Sequence, residues 1–219
     1  MVKLEFLLAL IVLLLFASGS FARNLFVGNA IFDVPQSIGN YEFPKDIEIP
    51  KNITPPDDNK FKFLLYVSGY SWHQCTNNNN NYTWEFEESR ALFFNNEEDI
   101  DRYPTSAVAS TYKNPNQQAG ITSLGIRSII PKNDTSGLIT TAIVRIPKPD
   151  HPEDIALGLE KTSNNTGKGA FDDITYIVRP LTRGGHPPPD VQCGTEEYPV
   201  GFIYSSPFIV INMFYHPEK

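Results

Sequence analysis

The feature that most limits how this chain can fold is a series of short β-type segments, separated by turns rich in proline, glycine and asparagine. Tyr82, Trp84 and Phe86 alternate with polar neighbours, which is the period of a half-buried strand. Eighteen prolines and fourteen glycines argue against a long-helix or coiled-coil protein. Further strands are predicted over residues 61–68, 90–94, 125–130, 138–146, 174–178, 201–204 and 208–215.

One short helix is also predicted, over residues 152–161. Pro152 suits a first helical turn, and Glu153 and Asp154 would complement the positive end of the helix dipole. The segments 35–59, 95–118, 164–169 and 184–199 are predicted to be loops. Many short strands with almost no helix predict an all-β fold, a single-domain β-sandwich or barrel with one short helix and long loops.

The first 22 residues have the pattern of a secretory signal peptide. Lys3 precedes an apolar run over residues 6–17, and Ser20 and Ala22 supply the small residues of a cleavage site. The run is well short of the roughly 20 apolar residues that a spanning helix needs, although an uncleaved membrane anchor is the alternative. We therefore predict a signal peptide over 1–22, a single secreted β domain over 23–219, an extracellular location and no membrane span in the mature form.

Secretion gives meaning to two further features. Four N-x-Ser/Thr sequons lie in polar, turn-like sequence and are predicted N-glycosylation sites. They are Asn52, Asn81, Asn133 and Asn164.

The chain has two cysteines, Cys75 and Cys193. An oxidising compartment favours a disulfide between them, since only one intramolecular pairing exists. The alternatives are two free thiols or a catalytic cysteine, which would need an activating base. A bridge would tie the early half of the sheet to the late half.

Charge and motifs exclude several classes of function. The chain has 25 acidic against 18 basic residues and a formal charge of −7, which argues against a nucleic-acid partner. The glycines at 167 and 169 lack the third glycine of a dinucleotide-binding turn. The four histidines show no metal-ligand spacing. We predict no cofactor and no metal.

The densest polar cluster is the segment 179–186, which is a candidate binding loop. Two guanidiniums could hold a carboxylate or sulfate, next to a Gly-Gly hinge and an imidazole. A disulfide would also bring His73 close to this loop. The candidate binding residues are His73, Arg179, Thr182, Arg183, Gly184, Gly185 and His186.

The structural alternative for this segment is a strand end. Arg179 would then pair with Asp172 or Asp173, and the two glycines would form the turn before Pro187. A second open choice concerns Tyr70, Trp72, Tyr82 and Trp84, which would stack on sugars if exposed and form β core if buried.

Residues 171–187 (FDDITYIVRPLTRGGHP), followed by Cys193 and by residues 204–210 (YSSPFIV), carry a recognisable pattern. The pattern resembles a family of secreted fungal and bacterial proteins catalogued as domain of unknown function 3455. Residues 69–75 (GYSWHQC) are similar to a second motif of that family. The resemblance implies a β-rich secreted domain with one bridge, and it brings no established activity.

These observations predict a secreted, N-glycosylated β protein that acts without catalysis in binding at the cell surface or cell wall. Its partner would be a cell-wall polysaccharide or a surface protein. The alternative hypothesis is an extracellular enzyme whose site lies near the 179–186 loop and His73, and no catalytic residue can be assigned from the sequence.

Overall fold

The structure, a computed structural model, describes residues 37–102, 105–113, 123–130 and 134–218. The predicted signal peptide and the sequon at Asn133 lie outside the described residues. The described part is an all-β fold, as the sequence predicts, and its form is a closed antiparallel barrel of eight strands. Each strand pairs with the next along the chain, and the last strand pairs with the first. The strands are β1 Asn59–Asn78, β2 Asn81–Phe94, β3 Ala109–Tyr112, β4 Ser123–Ser128, β5 Gly137–Ile146, β6 Leu157–Thr166, β7 Tyr176–Gly184 and β8 Ile203–Pro217.

Two predictions of local structure are wrong. The segment predicted as a helix over 152–161 contains the start of β6, in which Leu157 and Leu159 lie two residues apart and pack on the same apolar cluster. That spacing is the period of a strand and not of a helix. β3 lies inside a predicted loop, because a strand of four residues is too short to show a pattern. The described helical segments are two 3₁₀ turns, Lys51–Ile53 and Glu97–Arg102.

The barrel interior holds the main apolar core. Alternate residues of β1, such as Phe63, Leu65 and Val67, face inward and are almost fully buried. Phe63 stacks on Phe214 of β8 with ring centroids 4.8 Å apart. These side chains fill one end of the interior with aromatic and branched groups.

A second apolar cluster lies outside the barrel wall, under the chain segment that precedes β1. Ile53, in the first 3₁₀ turn, is fully buried against outward-facing residues of β1, β6, β7 and β8. This cover explains why residues 208–215 are apolar on both faces, since Phe214 points inward while Met213 and Tyr215 lie under the segment. Burial there raises the pKa of Tyr215 to about 12.

The predicted disulfide between Cys75 and Cys193 is confirmed, with the two Cα atoms 5.3 Å apart. It attaches the chain segment between β7 and β8 to the far end of the β1–β2 hairpin. Trp84 of β2 adds to this attachment by donating its indole N–H to the Val191 carbonyl at 2.9 Å. The bridge therefore holds the 185–202 segment against the hairpin, next to the C-terminal end of β7. The candidate segment 179–186 is mostly part of β7 and is not a loop.

Candidate functional site

The other end of the barrel interior, away from Phe63 and Phe214, contains a cavity of about 360 Å³ that side chains do not fill. All eight strands contribute to its lining. Eight-stranded barrels have interiors that are either filled by side chains or hold one small ligand, and ligand cavities begin at about 300 Å³. We call this space the interior cavity.

One side of the interior cavity is apolar and comes from β1, β2 and β8. Val67 is paired in register with Phe93 and with Val210, and all three are buried. One inward position further along, Gly69 stands between Ala91 and Phe208. A Cβ on Gly69 would lie 2.2 Å from the Arg90 carbonyl oxygen, so glycine is required for the close approach of β1 and β2. The apolar wall consists of Val67, Ala91, Phe93, Phe208 and Val210.

The other side of the cavity is polar and comes from β5, β6 and β7. Arg145 and Arg179 are both in register with Gly158, which lies between them on β6. A Cβ at Gly158 would lie 3.1 Å from Nη2 of Arg179, so this glycine leaves room for the guanidinium. The polar wall consists of Arg145, Glu160 and Arg179.

Glu160 is the carboxylate of the polar wall. Its Oε2 accepts a 2.6 Å hydrogen bond from the Thr140 hydroxyl, and its Oε1 lies 3.4 Å from Nη2 of Arg179. The side chains of Glu160 and Arg179 are only 10% and 13% exposed. Burial lowers the pKa of Arg145, and the positive charge of Arg179 lowers it further while Glu160 opposes the shift. Glu160 thus contacts Arg179 and acts on Arg145 only through its charge.

Several buried polar atoms of the interior have no hydrogen-bond partner among the described residues. Asn212 lines the cavity with 6% of its surface exposed, and its Oδ1 is unpaired. The Nε of Arg179 and the hydroxyls of Thr182 and Ser206 are unpaired as well. Because an unpaired buried polar group costs about 1–3 kcal/mol, a concentration of them in one interior is typical of a site that water or a ligand completes.

His73 and His186 lie together beside the cavity. Nδ1 of His186 is 3.4 Å from Nε2 of His73, and the ring centroids are 5.4 Å apart. Neither imidazole lines the cavity. Phe86 does line it, and its ring contacts the His73 ring. Burial, and to a lesser extent the charge of His186, lowers the pKa of His73 to about 4. Burial and the charge of Arg145 lower the pKa of His186, which Asp154 partly opposes.

Asp154 holds the end of β7 in place. Its Oδ1 accepts a 2.6 Å hydrogen bond from the Gly184 N–H, and its Oδ2 binds the Lys148 ammonium. Burial raises the pKa of Asp154, but these two bonds outweigh it and the pKa is lowered. Gly184 and Gly185 have φ values of 71° and 101°, which favour glycine. The two glycines do not form the suggested turn: Gly184 ends β7, and Gly185 pairs with Asp154 in an antiparallel bridge. The His186 N–H donates to the Glu153 carbonyl at 2.9 Å, and His186 lies beside His73.

The structure divides the candidate residues of the 179–186 segment. Arg179 and Thr182 face the barrel interior, whereas Arg183 is exposed on the outer face of β7. The suggested pairing of Arg179 with an aspartate is wrong, because its partner is Glu160, and Asp173 binds Lys62 at 2.7 Å.

Sequence reasoning missed Arg145, Glu160 and Asn212. Arg145 and Asn212 stand singly in predicted strands, Glu160 lies in the segment wrongly predicted as a helix, and no spacing along the chain relates the three. Only the pairing of β5 with β6, and of β7 with β8, brings them onto one cavity.

The four aromatic residues near the hairpin do not form a single platform. Tyr70 and Tyr82 are 52% and 46% exposed, so they are not core residues. Trp72 lies beside Tyr70, with its ring under the Arg90 guanidinium. Trp84 instead joins a separate, half-buried cluster with Tyr198, Phe202 and Tyr204. Of the sequons, Asn52, Asn81 and Asn164 are exposed, as an acceptor must be.

Comparisons with known proteins do not assign the chain to a family. No family model, no curated protein and no solved structure matches the chain. The resemblance to domain of unknown function 3455 therefore stays a prediction. In the described part of the chain, no helix is long and apolar enough to cross a membrane. No three His, Cys, Asp or Glu side chains of that part group closely enough to hold a metal ion.

Proposed function

We propose that this protein is a secreted binding protein that holds one small organic molecule in the interior cavity of its barrel. The observation that carries the proposal is the cavity itself. It is lined by all eight strands and has a volume of about 360 Å³. It joins an apolar wall to a polar wall, and its lining includes two residues with unpaired buried polar atoms, Arg179 and Asn212.

The alternative use of the same polar groups would be structural. A group that only stabilises the fold is expected to have its hydrogen bonds complete. Glu160 meets this expectation, since both of its oxygens have partners. Asn212 and the Nε of Arg179 do not, and both residues line the cavity. Their unmet bonds support a ligand role for the lining of the cavity.

Features outside the cavity support an extracellular location for the binding protein. The Cys75–Cys193 bridge is consistent with an extracellular protein. Secretion by the 1–22 segment and glycosylation at Asn52, Asn81, Asn133 and Asn164 complete the proposal. Expression in a eukaryotic secretory host, followed by intact-mass measurement before and after glycosidase treatment, tests both.

Filling the cavity tests the binding proposal. Leu124 lines the interior cavity, so Leu124→Trp places a larger side chain in the space a ligand would use. We expect the wild-type protein to enhance the fluorescence of the neutral probe N-phenyl-1-naphthylamine, and Leu124→Trp to raise the Kd of this probe at least tenfold. Ile143→Trp is the matched control, because Ile143 is 51% exposed and does not line the cavity.

Equal probe affinity in Leu124→Trp and Ile143→Trp would contradict binding in the cavity. Far-UV circular dichroism establishes that both variants are folded. If Leu124→Trp does not fold, Ala91→Leu fills the same cavity from β2 and replaces it.

A second candidate function is extracellular hydrolysis, and the contact between His73 and His186 favours it. With a pKa of about 4, His73 is neutral but a weak base at pH 7, so the less buried His186 is the candidate proton acceptor. A water molecule would attack the ester carbonyl while the His186 imidazole takes its proton, and the imidazolium would then return that proton to the leaving alkoxide. Release of p-nitrophenolate from p-nitrophenyl acetate at pH 7 tests this candidate, with His186→Ala expected to abolish turnover and the exposed His151→Ala to preserve it. Equal rates in the two variants would reject it.

A partner at the cell wall or cell surface is a further part of the proposal. The exposed ring of Tyr70 supports it, because flat aromatic rings stack on sugars. Binding of the mature protein to a cell-wall polysaccharide array tests this partner, and a signal no greater than that of Tyr70→Ser would contradict it.

A further inference from the structure

We propose that the molecule held in the interior cavity is an amphipathic organic monoanion. Its acidic group would pair with Arg145, and its apolar body would lie on Val67, Phe93, Phe208 and Val210. This inference rests on the proposed binding function and names the chemistry of the ligand.

The first step is the charge of the polar wall. Arg145 and Arg179 carry two positive charges, and Glu160 supplies one negative charge. Arg179 contacts Glu160, whereas Arg145 has no ion-pair partner among the described residues. Arg145 is exposed to solvent on one side, and partial burial lowers its pKa. Its unpaired guanidinium favours one added negative charge, because charge-assisted bonds to a carboxylate or sulfonate are stronger than neutral ones.

The second step is the charge of the cavity rim, which does not change this balance. The rim carries Glu87, Glu88, Arg90 and Lys113, two negative and two positive groups. Glu88 and Arg90 form an exposed ion pair at 3.2 Å, and Glu87 and Lys113 are exposed to solvent. Arg145 is also open to solvent, so screening does not set it apart from the rim. The two negative and two positive rim groups cancel, which leaves the excess positive charge of Arg145 and Arg179 over Glu160.

The third step is the apolar wall, which excludes small inorganic anions as the natural ligand. Val67, Phe93 and Val210 face the cavity from the side opposite Arg145 in the strand order. Phosphate or sulfate would leave this surface wet, whereas an organic acid with an aromatic or aliphatic body would cover it. A single acidic group is sufficient, because one guanidinium is unpaired.

Two fluorescent probes that differ by one sulfonate group test the inference. 1-Anilinonaphthalene-8-sulfonate carries one sulfonate, and N-phenyl-1-naphthylamine is the same ring system without it. We expect wild-type protein to bind the sulfonate with a Kd about tenfold lower than that of the neutral probe. Arg145→Gln is expected to remove this preference while the Kd of the neutral probe changes less than twofold.

Arg183→Gln is the matched control, since it removes the same charge from the exposed outer face of β7. It is expected to keep the wild-type preference. Arg145→Lys keeps the charge and is expected to keep most of the preference. This variant also serves if Arg145→Gln lowers the melting temperature.

The two proposals fail in different ways. If both probes bind the wild type equally, and Arg145→Gln leaves their ratio unchanged, the anion inference is overturned while cavity binding stands. The proposed function itself fails if neither probe binds, or if Leu124→Trp leaves the affinity for the neutral probe unchanged.

Discussion

At the scale of single residues, the interior of this barrel holds polar groups whose protonation matters for stability. His73 is 2% exposed and has Nε2 next to His186, while its Nδ1 has no partner among the described residues. The groups that face the pair are Arg145, which disfavours the protonated form of His186, and Asp154, which favours it. Burial of this kind favours the neutral form of a histidine over the protonated form.

The lowered pKa of His73 predicts a loss of stability in mild acid. The unfolded state takes up the proton near pH 6.5 and the native state only near pH 4. The stabilisation is therefore present above pH 6.5 and is lost as the pH falls to about 4, with an upper bound of about 3 kcal/mol. Urea unfolding of the wild type and of His73→Gln over this pH range measures the difference. His151→Gln, at an exposed histidine, should retain the wild-type slope, and an identical slope in His73→Gln would contradict the prediction.

The buried ion pair of Glu160 predicts that Glu160→Gln lowers the unfolding free energy strongly. Glu160→Gln removes the charge that pairs with the 13% exposed Arg179, and breaking a buried pair costs about 3 kcal/mol of unfolding free energy. Glu88→Gln is the matched control, because the Glu88–Arg90 pair is exposed and is expected to contribute less than about 1 kcal/mol. Denaturant unfolding compares the two variants. Equal losses would show that Glu160 is not paired in the interior.

At the scale of elements, the alternation of residues predicts most strands but not their bulges. The pattern of β5 predicts that one face is shared by Leu138, Thr140, Ala142, Val144 and Ile146. The register shifts between Ala142 and Val144, so that Leu138 and Thr140 are buried toward the interior while Val144 and Ile146 pack outside. A bulge adds a residue without changing the sequence pattern. This shift is also what brings Arg145 into the cavity lining.

The β1–β2 hairpin, by contrast, is predicted by its turn residues. Asn79 and Asn80 have φ values of 55° and 66°, which asparagine tolerates better than other residues with a side chain. Asn80→Val is expected to lower the unfolding free energy by about 1–2 kcal/mol, and Asn80→Gly to leave it unchanged or slightly raised. Neither change alters the sequon at Asn81. Thermal unfolding measures both variants, and equal melting temperatures would argue against a left-handed conformation at this position.

At the scale of the whole molecule, two constraints close the structure: the pairing of β1 with β8 and the disulfide. The sequence predicts the bridge from compartment and cysteine count. It cannot predict the closure register, which depends on bulges in β1, β5 and β7. The candidate segment 179–186 is therefore found by its composition, whereas the cavity-lining residues Arg145, Glu160 and Asn212 are not.

The bridge predicts a measurable share of the stability of the molecule. Cys75 and Cys193 are 118 positions apart, and cross-linking so long a loop stabilises a fold by up to about 5 kcal/mol in the chain-entropy model. The double variant Cys75→Ala/Cys193→Ala is expected to unfold at a clearly lower denaturant concentration. An unchanged midpoint would mean that the 185–202 segment is held by its other contacts, such as the Trp84 bond to Val191.

The central claim is that the interior of the barrel, and not its outer surface, is the binding site. Residues with methyl groups lie both in the barrel interior and on its outer surface. Val67, Leu124, Ile155 and Val210 line the cavity, whereas Ile143, Leu181, Ile203 and Ile209 are exposed and do not line it. The most direct test is a set of intermolecular nuclear Overhauser effects between N-phenyl-1-naphthylamine and the methyl groups of the labelled protein. We predict effects to the four interior methyl-bearing residues, and effects confined to the four exposed ones would contradict the claim.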